Sequence, residues 1–131
     1  MVALVAAAAL LVPLPGLRSP SGNITCFVSG GVLHCAIAHA DYSATLQRRC
    51  FTRASVEWHG FELAARGAGR VTCSGGILYD PDTERPRYVT LAYGASRRLG
   101  VFACTSRITG VTCTSPAGHG LFVSRESWRA W

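Results

Sequence analysis

The chain contains no lysine. All 13 of its basic residues are arginine, set against seven acidic residues, for a net charge of +6. A GC-rich genome favours arginine over lysine, so the bias alone is not a binding signal. The charge still favours anionic neighbours such as acidic polymers or membrane surfaces. The arginines form no block along the sequence, and a solvated face is the default reading of each. Aromatic residues do not interleave with them in one run, which argues against nucleic-acid binding. No phosphate-cradling loop or dinucleotide fingerprint occurs. The four histidines, His34, His39, His59 and His119, form no i, i+4 pair, and Cys-x8-Cys is not a zinc spacing. Asp80, Asp82 and Glu84 alternate as calcium ligands can, but Pro81, Arg85 and Arg87 mark a solvated loop instead. Neither a metal nor a cofactor is expected.

No apolar run is long enough to span a bilayer. Residues 1–12 are uncharged and rich in Ala and Leu, and Pro13 and Pro15 break the run too early for a spanning helix. The run resembles the apolar core of a secretory signal peptide. No basic residue precedes it and no clear small-x-small site follows it, so either the start lies upstream or cleavage is atypical between Ala7 and Gly16. The alternative is a buried N-terminal strand. No cysteine follows a lipobox-like stretch, so no lipid anchor is expected. The expectation is an exported chain with a leader-like segment at 1–16 and a single domain at 17–131, its size set by one core.

Six cysteines in so short a chain point to a disulfide framework in an oxidising compartment. The stretch 22–37, GNITCFVSGGVLHCAI, organises it. Gly30-Gly31 makes a two-residue hairpin turn. Ser29 then faces Val32, Val28 faces Leu33, Cys26 faces Cys35 and Ile24 faces Ile37. The period of two puts Ile24, Cys26, Val28, Leu33, Cys35 and Ile37 on one face. The cysteines fall at a non-hydrogen-bonded pair, where strands lie closest. Cys104 and Cys113 repeat the spacing around a loop at 107–110, with Thr105 opposite Thr112. The two registers select Cys26–Cys35 and Cys104–Cys113, which leaves Cys50–Cys73. Each bridge contributes roughly 2–4 kcal/mol in the loop-entropy model.

Elsewhere the pattern is short strands and turns. Residues 38–51 are polar and mixed, readable as a loop or as one helical turn capped by Asp41 or Ser43. Residues 52–63 read as a strand pair bent near Gly60, 71–79 as a strand region, 80–87 as an exposed loop and 88–93 as a strand. Residues 100–114 form the second hairpin, and 120–131 a final strand with a tail. The fold class is all-β: a small disulfide-stapled antiparallel sheet or a barrel of hairpins.

Ser19-Pro20-Ser21-Gly22-Asn23-Ile24 followed by Cys26, then Leu91-Ala92-Tyr93-Gly94, the segment from Phe102 through Cys113, Gly118-His119-Gly120 and Ser124-Arg125 occur in that order. The chain thereby resembles a family of small exported actinobacterial proteins of unknown function, over about residues 17–131. Leu17, Leu121 and Trp128 depart from the family's usual aromatic residues, and 77–87 differs from its shorter middle passage. The resemblance implies export and disulfides. It supplies no catalytic residues.

His119 between two glycines, with Ser124 and Arg125 nearby, is the most site-like cluster. His titrates near neutral pH and Arg grips carboxylate or phosphate. The competing reading is a turn with a structural arginine. Ser124, His119 and one of Asp41, Asp80 or Asp82 make a hydrolytic triad on paper, without a G-x-S-x-G elbow to support it. Trp58 reads as core, while Trp128 and Trp131 are candidates to stack on sugar rings or a partner protein. Arg125 is expected in an apolar last strand, held by a carboxylate or by carbonyls. The sequence therefore favours an exported, non-catalytic binding protein. Its candidate interaction residues are His119, Ser124, Arg125, Trp128 and Trp131, and its expected partner is a protein or an anionic or carbohydrate ligand of the cell envelope. The alternatives are a small secreted hydrolase using His119 and Ser124, and a secreted enzyme inhibitor.

Overall fold

The first hairpin forms in the register that its period of two requires. β2 (Ile24–Ser29) pairs with β3 (Val32–Ile37), with Ile24 opposite Ile37, Cys26 opposite Cys35 and Ser29 opposite Val32. Gly30 and Gly31 take φ of 58° and 77°, the two positive values a type I′ turn needs. The cysteine Cα atoms stand 4.1 Å apart, the close spacing of a non-hydrogen-bonded pair.

The computed structural model describes residues 16–76 and 88–131. The leader-like run at 1–12 and the exposed loop at 80–87 lie outside those residues, as does the end of the strand region at 71–79. Gly16 is already the first residue of β1 (Gly16–Arg18).

Two open sheets share one core, and the described strands close no barrel. The first has the order β5-β4-β3-β2-β1-β6, with β4 at Glu57–Leu63, β5 at Arg70–Ser74 and β6 at Val89–Thr90. β6 lies parallel to β1, the one parallel pair among the described strands. The second sheet runs β7 (Ser96–Leu99), β8 (Phe102–Arg107), β9 (Gly110–Thr114), β10 (Gly120–Val123) and β11 (Trp128–Ala130). The inner faces alternate as a half-buried strand should. Leu33, Cys35, Phe61 and Leu63 come from one sheet, and Phe102, Cys104, Val111, Cys113, Leu121 and Val123 from the other.

All three disulfides pair as expected, Cys26–Cys35 and Cys104–Cys113 by hairpin register and Cys50–Cys73 as the remaining pair. They fit an oxidising environment. The two hairpin bridges meet in the core, where the Sγ atoms of Cys26, Cys35 and Cys113 all lie within 4.8 Å of one another. Every cysteine is bonded, so this is one disulfide packed on another and not a metal site.

Four segments differ from the sequence expectation. Residues 38–51 are neither a loop nor a single turn, because α1 runs Ser43–Ala54 and buries Leu46 and Cys50. Residues 52–54 therefore belong to the helix, and the bend near Gly60 is a bulge within β4, where the register shifts between Trp58 and Phe61. Gly60 takes φ 93° there, and a Cβ would fall 2.2 Å from the Cys35 carbonyl oxygen. The strand expected at 88–93 shrinks to two residues, and β7 is an additional strand. Finally, 120–131 is a hairpin of β10 and β11. Phe61 ties these parts together, with its ring 5.8 Å from Trp58, 6.3 Å from Tyr42 and 5.2 Å from Trp128.

Candidate interaction surface

The first motif builds a turn from its own polar groups. The Ser19 hydroxyl accepts the Ile24 amide at 3.1 Å, and the Gly22 amide donates to the Ser19 carbonyl at 2.8 Å. The Asn23 side chain clasps the chain after β3, accepting the His39 amide at 2.8 Å and donating to the His39 carbonyl at 3.0 Å. Asn23 thus continues the β2–β3 pairing beyond the end of the strands. Leu91 is buried, and the Gly94 amide donates to Ser106 at 2.7 Å, which turns Tyr93 outward at 50% exposure.

Ser124 and Arg125 occupy the turn between β10 and β11. Ser124 is buried; its hydroxyl donates to the Ser127 carbonyl at 3.0 Å and accepts the Ser127 amide at 3.0 Å. Its own carbonyl accepts the Tyr42 hydroxyl at 2.8 Å. Burial, then the charges of Asp41 and Glu126, push the Tyr42 phenol well above its ordinary pKa, so it stays a donor at every physiological pH. The Arg125 carbonyl accepts the Asp41 amide at 2.8 Å. Its side chain is exposed, with Nε 3.6 Å from Asp41 Oδ1. Arg125 thus faces a carboxylate as expected, but from an exposed turn and not from an apolar last strand. A screened surface pair of this kind contributes ~0–1 kcal/mol.

His119 lies half-exposed at the other end of β10, its backbone paired with Ser115. The strand between His119 and Ser124 separates them by roughly 16 Å at ~3.3 Å per residue. The two do not meet, and the Ser124 hydroxyl is engaged in its turn. Trp128 packs inward on Phe61. Trp131 docks beside His119: its backbone pairs in both directions with Gly120, and its ring covers Gly120, where a Cβ would fall 2.4 Å from the ring. The Arg129 guanidinium sits 5.5 Å from the Trp131 and Phe122 ring centroids. The five candidates therefore divide, with Ser124, Arg125 and the inward-packed Trp128 at one end of β10 and His119 and Trp131 at the other.

At the Ser124 end, four turns from separate parts of the chain converge on a depression of about 120 Å³. Tyr93, Arg107, Ile108 and Arg125 rim it. Ile108, at the tip of the β8–β9 hairpin, is 86% exposed, more than any other large apolar residue described. Many polar groups of the surrounding motifs are spent on the turns themselves, and these four side chains, with the exposed Thr109 and Glu126, face outward around the depression.

Two further features escaped the sequence analysis. Thr45, Arg48, Arg49, Thr52 and Arg53 follow the i, i+3, i+4, i+7, i+8 spacing of one helix face and are all exposed. α1 contains no acidic residue, and none of its arginines has an ion-pair partner among the described residues. That periodicity is present in the sequence but has meaning only once 43–54 is known to be helical. The second feature is a cleft of about 310 Å³ beside the β4 bulge, lined by Phe27, His34, Gln47, Trp58 and His59 among others. Gln47 Oε1 accepts the Trp58 amide at 3.1 Å, and His34 stacks on Phe27 with centroids 5.1 Å apart. Burial lowers the His34 pKa against the opposing pull of Glu62, its partner across the β3–β4 pair.

No family model, curated protein or solved structure matches the chain. Among the described residues, no helix is long and apolar enough to cross a membrane.

Proposed function

We propose that this is an exported, non-catalytic protein that binds a protein partner through the turns at the Ser124 end of the sandwich. The observation that carries the reading is the rim itself, with Ile108 86% exposed and Tyr93 50% exposed beside Arg107 and Arg125. An apolar and aromatic centre with arginines is the composition of interaction hot spots. The three disulfides, the leader-like run and the resemblance to exported actinobacterial proteins all support an extracellular or envelope location. A secreted inhibitor is a narrower form of the same reading. Cys104–Cys113 staples the hairpin that carries Ile108, and a stapled loop loses little entropy on binding.

A photo-cross-linking side chain placed at position 108, with a control at 117 on the opposite end, tests the reading on intact producing cells. A discrete protein adduct from 108 and none from 117 is the expected result; equal labelling from both removes the surface. The hydrolase alternative has its own arm, a panel of ester, peptide and glycoside substrates. Turnover that His119→Ala abolishes with an unchanged melt puts an enzyme in place of the binding protein.

A further inference from the structure

We propose that the outward face of α1 is a second, separate docking site, for a phosphate-bearing linear polyanion. Arg48, Arg49 and Arg53 are exposed on one stripe and without ion-pair partners among the described residues, around an open depression of about 320 Å³ that they line with Thr45 and Thr52. The helix dipole accounts for Arg53, which lies in the last turn, but Arg48 and Arg49 lie in mid-helix, where it gives no support. Arg49 and Arg53 are like charges at i, i+4, an arrangement unfavourable to the free helix and relieved by an anion.

The chemistry of the face selects among anionic partners. A membrane-bound helix turns its apolar side to the lipid. Here Leu46 and Cys50 are buried in the protein's own core, and Phe51, the helix's one exposed large apolar side chain at 68% exposure, lies beside the stripe and not on it, too little apolar surface to seat a helix in lipid. A protein interface needs an apolar centre, and Phe51 stands at the border of the stripe, whose own centre is arginine and threonine. A chain of anionic groups needs neither. Neighbouring helix residues point roughly 100° apart, so Arg48 and Arg49 can hold different oxygens of one group while Arg53, a turn beyond Arg49, takes the next. A tetrahedral phosphate offers oxygens in both directions, whereas one arginine fork occupies both oxygens of a carboxylate. The threonine hydroxyls add neutral donors.

Long-chain inorganic polyphosphate is the probe, titrated against the oxidised full chain. Binding is expected to weaken with salt at a slope of log K on log salt of about −2, for three contacts on a flexible polyanion. Arg48→Ala, Arg49→Ala and Arg53→Ala together are expected to cost about tenfold or more with an unchanged melt. Arg97→Ala with Arg98→Ala, an equally exposed pair on β7, is the control and is expected to bind as the parent does. If the triple variant melts early, the triple lysine replacement is used, which keeps the charge and removes the forks; it is expected to bind more weakly than the parent. No binding of polyphosphate overturns the proposal, as does an equal loss in the β7 control. Polyglutamate bound as tightly means charge without phosphate recognition, and preferential binding to phosphatidylglycerol vesicles means a membrane surface; either result also overturns it.

Discussion

Ser106 stands on the inner face of β8 in line with Phe102 and Cys104, fully buried, and its hydroxyl has no hydrogen-bond partner among the described residues. A buried hydroxyl without a partner is a cost to the folded state. Ser106→Ala removes the oxygen and little volume, and is expected to raise stability by about 1 kcal/mol, read from the denaturant midpoint at constant m-value. His34 sets a second residue-scale expectation. Burial lowers its pKa below 6.5 in the folded protein, so the unfolded chain takes up the proton first as the pH falls. Whatever stability the neutral imidazole contributes is therefore complete above pH 6.5 and declines as the pH drops through 6.5 toward the native value. Thermal melts between about pH 7.5 and pH 5.5 should fall in the parent and fall less in His34→Gln. An equal fall in both assigns the acid sensitivity to other groups.

α1 lies outside the strand pairing of both sheets and is held to them through its side chains. Two of its side chains are buried, and one of them, Cys50, is bonded to Cys73, which is exposed on β5. Of the three bridges this one alone has an exposed cysteine, so a mild reductant should open it first. The expected result is loss of helical circular dichroism with the strand signal intact, and alkylation of Cys50 and Cys73 alone; simultaneous loss of all three bridges would contradict it. The same element shows why the sequence is legible in some places and not in others. The hairpins were readable because Gly30-Gly31 and the paired cysteines state turn and register together. α1 was not. Its N-cap is Tyr42, which makes no capping bond with its side chain, and its C-cap is Ser55 at φ 54°, where glycine would have signalled a stop. β7 shows the core only Leu99, too little for an alternating pattern, and Ser124–Ser127 turns the chain without glycine or proline. The candidate surface was half legible: Ser124 and Arg125 lie at the right end, but Ile108 and Tyr93 join them only through long-range convergence.

The molecule as a whole is two sheets closed on a pair of touching disulfides. Cys26, Cys35, Cys104 and Cys113 are 0–2% exposed, out of reach of any oxidant or exchange catalyst. A chain whose sheets closed with these thiols unpaired would trap them beside the partner hairpin's sulfurs, where the wrong cross-sheet bond is within easy reach. The order of assembly is therefore constrained: each hairpin must acquire its bridge while it is still a separate ribbon. During oxidative refolding quenched by alkylation, Cys26–Cys35 and Cys104–Cys113 are expected before Cys50–Cys73, and a first-formed Cys50–Cys73 intermediate would contradict that order. For a producing cell, the consequence concerns timing. Oxidation has to reach both hairpins before the two sheets close on each other, so the maturation of this protein depends on when electrons are withdrawn as well as on whether they are.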